Sequence, residues 1–112
     1  MTGVRYTVAW TDVASDDMER IATYLAHDSP TRAAHIVDRI VRRGESLSFA
    51  PMRGRALPEL RGVSDQTWRE VQEPPWRIVY RVEADRRVEI HGVLDSRRSL
   101  QDLLLERLLK TY

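Results

Sequence analysis

Four arginines set the chemistry that this chain could perform. In the segment Trp76-Arg77-Ile78-Val79-Tyr80-Arg81-Val82, strand parity sends Arg77, Val79 and Arg81 to one side and Trp76, Ile78, Tyr80 and Val82 to the other. Arg97 and Arg98 close the run Val93-Leu94-Asp95-Ser96-Arg97-Arg98, and Arg53 and Arg55 lie in an upstream loop that could reach the same side. A guanidinium is planar, permanently charged and forked, so this cluster could stabilise the pentavalent phosphate of RNA cleavage, hold a phosphate backbone, or grip an acidic peptide. A solvated strand face ion-paired to Glu70, Glu83 and Glu89 is the alternative reading of the same residues.

Metal-independent RNA cleavage also needs a base for the 2′-hydroxyl and an acid for the leaving oxygen. His91 is the histidine nearest the arginines in sequence and shares strand parity with Arg87, Glu89 and Val93. His27 and His35 fall on helical segments and read as solvent-facing, and Tyr80 points to the core, away from proton transfer. There is no glycine-rich phosphate loop, no His-rich metal spacing and no cysteine, so neither a metal nor a nucleotide cofactor is expected.

The elements that must position these residues follow from periodicity. Residues 4–10 alternate, with Val4, Tyr6, Val8 and Trp10 on one face of a strand. Ala14, Met18, Ile21 and Leu25 then repeat with helical period, leaving Asp16, Asp17, Glu19 and Arg20 to water. Ser29-Pro30 is a cap followed by a first-turn proline, and it opens a second helix with Ala33, Val37, Ile40, Gly44 and Leu47 inward. Residues 50–62, with two prolines and two glycines, read as loop or poor strand. Residues 67–72, 76–82 and 87–94 read as strands, with residues 83–86 turning between the last two, and Ser99 opens a leucine-rich C-terminal helix. The expected fold is α+β: an N-terminal strand, a two-helix hairpin, a three-stranded antiparallel meander completing one sheet, and a short C-terminal helix.

Length and composition agree with one domain over residues 1–112: the chain is cysteine-free, 42% hydrophobic and 31% charged, with net charge +1. No apolar run is long enough for a signal peptide or a membrane span, so a cytoplasmic protein without membrane contact is expected. The near-neutral total conceals polarity. Residues 1–38 carry three arginines against six acids, a balance of −3, while residues 39–98 carry thirteen against nine, a balance of +4. Seventeen of the eighteen Lys and Arg residues are arginine, a bias that genome composition alone could produce.

This order of elements, with Gly54-Arg55-Ala56-Leu57-Pro58-Glu59-Leu60, the Trp76–Val82 strand and the Arg-Arg ending, resembles the RelE/ParE superfamily of type II toxin–antitoxin toxins over nearly the whole chain. The Pro-Glu-Leu loop, Arg69-Glu70 and the aromatic-Arg-Ile-Val-Tyr-Arg strand are similar to the ParE branch in particular. RelE-type members cut mRNA on the ribosome, and the resemblance places Arg77 and Arg97 at their two arginines. It also places Glu70 where such a member has a lysine and Leu103 where it has a tyrosine. ParE-type members lack that set and trap DNA gyrase in a DNA-cleaved state without catalysis. The resemblance therefore implies a gyrase-binding toxin neutralised by a cognate antitoxin, with any DNA contact made only through the antitoxin. The alternative is a ribosome-dependent mRNA endonuclease using Arg77, Arg81 and Arg97 with His91. The arginines at 53, 55, 77, 81, 97 and 98 are the expected target- or antitoxin-binding set.

Overall fold

The computed structural model describes residues 3–58 and 68–97. The expected C-terminal helix and Arg98 lie outside these residues. β1 (Thr7–Trp10) leads into α1 (Asp12–Ala26) and α2 (Pro30–Glu45), followed by 3₁₀ turns at Ser46–Ser48 and Pro51–Arg53. Then come β2 (Arg55–Ala56), β3 (Trp68–Glu73), β4 (Trp76–Glu83) and β5 (Arg87–Asp95). The α+β class stands, with one more strand than expected, because Arg55 and Ala56 pair with Glu70 and Arg69 at the sheet edge. The order is β1-β5-β4-β3-β2. β1 runs parallel to β5 and the remaining pairs are antiparallel.

Both helices start where the sequence supplies an acceptor. Thr11 Oγ1 accepts the Ala14 N–H at 3.2 Å, and Ser29 Oγ accepts the Arg32 N–H at 3.1 Å ahead of Pro30. Arg42 and Arg43 occupy the last turn of α2, where cations complement the exposed carbonyls. The helices cover one sheet face. Ala14, Ile21, Ile40, Leu47, Ile78, Tyr80, Val88, Ile90 and Val93 form the main core, edged by Tyr6, Val8 and Trp10.

Two expectations change here. Asp17 does not face water: it is buried, and its Oδ2 accepts the Val93 N–H at 2.9 Å, tying α1 to β5. A carboxylate so placed satisfies a backbone donor that water cannot reach. Val93 in turn does not share a face with His91. Tyr80 pairs with Ile90 and Val79 with Gly92, so His91 is the extra residue of a β-bulge, and parity inverts across it. Ile90 and Val93 can then both enter the helix-side core.

Gly44 sits where α2 meets β1. An added Cβ would lie 2.6 Å from Trp10 Cζ2 and 2.9 Å from Ile90 Cδ1, while the Trp10 indole is held by a 2.7 Å hydrogen bond to Glu45 Oε2. Although alanine favours helix by about 1 kcal/mol over glycine, overpacking costs about 1–3 kcal/mol. Gly44→Ala is expected to lower the denaturation midpoint, and a midpoint at or above wild type would show that the indole repacks freely.

Candidate functional site

On the face opposite the helices, the expected open arginine surface is only partly open. Leu57, Val79 and Leu94 are buried there, with Trp68 packed against them. Arg77, expected on an uncovered face, is instead 7% exposed. Its Nε donates to Glu70 Oε1 at 2.6 Å and its Nη2 to Glu70 Oε2 at 2.9 Å. Arg55 reaches the same carboxylate from β2, Nε to Oε2 at 2.8 Å, while its own side chain stays 57% exposed. A carboxylate buried this deeply requires compensating charge, and two guanidiniums supply it.

The other predicted residues divide by role. Arg53 turns back on its own loop, donating to Phe49 O at 2.7 Å, Ser46 O at 3.3 Å and Ser46 Oγ at 2.5 Å. Arg81 lies over the Trp68 ring, 5.0 Å from its centroid, with Nε 3.5 Å from Glu83. Arg97 is paired with Asp95 at 2.7 Å yet remains 70% exposed. That hydrogen bond and the Asp95 charge raise its pKa further.

His91 packs edge-on against Trp68, with ring centroids 4.8 Å apart at 72°, and its Nε2 lies 3.4 Å from Glu89 Oε1. Burial holds its pKa below the ordinary histidine value, against the opposing pull of Glu89. Tyr80 lies on the helix side, as parity requires. It donates to Pro51 O at 2.5 Å and accepts the Gly54 N–H at 3.0 Å. This phenol is therefore a strut for the loop, fully buried and on the opposite face of β4 from Arg77 and Arg81.

Sequence reasoning missed one participant. Arg43, from the last turn of α2, donates to Gln72 O at 3.0 Å and joins Arg53, Arg55, Glu70 and Gln72 around an open groove of about 470 Å³. Its helical position gave no sign that α2 ends beside β3. Since Arg77 already balances the Glu70 charge, the groove presents net positive charge and suits an anionic group.

The family model described as the ParE toxin of the type II toxin–antitoxin system parDE matches residues 8–100. Among solved structures, the chromosomal ParDE system from P. aeruginosa is similar with TM-score 0.67 and 20% identity, over 83% of this chain and 98% of that one. The toxin–antitoxin complex RelBE2 from Mycobacterium tuberculosis is similar with TM-score 0.59 and 26% identity, over 84% and 94%. No curated protein sequence matches.

The Tyr80 geometry has a measurable pH signature. Desolvation raises its pKa above the ordinary 10.0, the Gly54 hydrogen bond and nearby arginines opposing only in part. The folded state then keeps a proton that the unfolded state loses, so this stabilisation is present below pH 10 and falls as pH rises above it. Tyr80→Phe is expected to be less stable than wild type at pH 8, with the gap narrowing above pH 10. A pH-independent gap in denaturant melts would contradict a buried, protonated phenol.

Proposed function

This chain belongs to the ParE toxin family of type II toxin–antitoxin systems, within the RelE/ParE superfamily, and from that premise we propose that it inhibits growth by binding DNA gyrase rather than by cutting RNA. The observation that carries the reading is the Glu70–Arg77 pair. A phosphate-contacting arginine must present its fork to substrate, and both contacts of this fork to Glu70 are made inside the protein.

The proton-transfer groups point the same way. Tyr80 is engaged with Pro51 and Gly54 on the far face, and His91 is packed against Trp68 beside Glu89. An acid and a base flanking one phosphate are not in evidence among the described residues. Docking to a macromolecule needs only a surface of suitable charge and shape, and Arg55, Arg97 and the arginine groove supply one. The toxin–antitoxin complexes among the similar solved structures support an antitoxin as partner; the exposed arginines suit an acidic one, and the complex is read as cytoplasmic.

The discriminating experiment runs two reactions in parallel: purified toxin with gyrase and supercoiled plasmid, and purified toxin with translating ribosomes and a reporter mRNA. Accumulation of cleaved plasmid with intact mRNA is expected. Cleaved mRNA with unaffected gyrase would overturn the proposal and favour the endonuclease reading.

A further inference from the structure

The geometry points to a divalent transition-metal site at the end of the β4–β5 hairpin, formed by Glu83, Glu89 and His91, with Zn²⁺ as the fitting ion. One ligand atom from each of the three lies within 4.8 Å of the others, and all three side chains are half-buried. Sequence spacing does not announce this group, because Glu83 comes from β4 while Glu89 and His91 come from β5. Alternation puts His91 on the Glu89 side of β5, and the Arg81–Glu89 and Glu83–Arg87 pairings set Glu83 on the same face of β4.

The distances also fit an ion. His91 Nε2 and Glu89 Oε1 are 3.4 Å apart. That is long for a hydrogen bond, yet it equals the edge of a tetrahedron with bonds of about 2.05 Å, the length of zinc–imidazole and zinc–carboxylate bonds. Glu83 needs only to close from the edge of the cluster to give a third ligand, leaving a fourth position to water.

The surroundings already resemble an outer shell of partners. Arg87 holds Glu89 by Oε2, leaving Oε1 directed at the histidine. Trp68 fixes the imidazole plane by its edge contact. Arg81 contacts Glu83 at 3.5 Å but is drawn over the Trp68 ring, a weak restraint on that carboxylate. Arg81 and Arg87 already offset the charge of the two carboxylates, so an ion bound here shares their oxygens with these pairs. The two guanidiniums compete for the same oxygens and keep affinity below that of a closed structural zinc site. One nitrogen and two oxygens suit Zn²⁺, whereas Mg²⁺ demands oxygen ligands in octahedral array.

The test is calorimetric titration and thermal melting of the untagged full-length chain after chelator treatment, with Zn²⁺ and Mg²⁺ in separate runs. Zn²⁺ is expected to bind saturably at one ion per chain and to raise the melting temperature with concentration, with no such effect from Mg²⁺. His91→Ala and Glu83→Gln should each weaken binding at least about tenfold, while His27→Ala leaves it unchanged. Melting of the metal-free variants confirms that each is folded. Absence of saturable Zn²⁺ binding, or binding that survives both site substitutions, would overturn the assignment.

Discussion

A buried carboxylate organises the sheet. Glu70 is 1% exposed, and an ionised carboxylate in that position is tolerated only when charge and hydrogen bonds replace its lost water. Arg77 supplies a two-pronged contact from β4 and Arg55 a single one from β2, so three neighbouring strands are tied through one side chain. The apolar cluster of Leu57, Val79 and Leu94, with Trp68, lies on the same face of the sheet and deepens its burial. On the opposite face of β4, Tyr80 anchors the loop from which β2 emerges, through Pro51 and Gly54. Gly54 has no room for a Cβ, which would collide with the Tyr80 hydroxyl and lie 2.7 Å from the Glu70 carbonyl oxygen. Loop, edge strand and ion pair are therefore one construction.

That construction divides the arginines. Arg77 and Arg53 are structural, the first neutralising Glu70 and the second clamping carbonyls at the end of α2. Arg81 is stacked on Trp68. Arg43, Arg55 and Arg97 retain exposed or groove-lining guanidinium surface where an anionic partner can reach them. In this ParE-family chain the arginine most suggestive of phosphate chemistry is withdrawn from the surface.

Much of this was legible from the residues alone, because periodicity and capping are local. Ser29 and Pro30 mark the start of α2, and the alternation in β4 correctly sends Tyr80 to the core and Arg77 to the other face. What escaped depends on pairing between distant segments. Strand parity reports a face but not what covers it, so Arg77 read as open although Glu70 pairs with it and the Leu57, Val79 and Leu94 cluster shares its face. A bulge shifts parity without any sequence mark, which misplaced Val93 relative to His91. Asp17 looked solvated because the backbone N–H that it accepts from, that of Val93, lies 76 residues away. Of the expected site, Arg55, Arg81 and Arg97 are on the face or edge predicted for them, while Arg98 lies beyond the described residues.

The central claim, that Arg77 serves Glu70 rather than a substrate, is tested most directly by a double-mutant cycle in folding stability with Arg77→Leu, Glu70→Leu and both together. Each single change leaves a buried charge without its main partner and should cost about 3–5 kcal/mol. The double change removes both charges and should cost less than the sum of the singles, with a coupling of about 0.5–3 kcal/mol. Additive effects, or a fully stable Arg77→Leu chain, would contradict the account and return Arg77 to the surface as a candidate for phosphate contact.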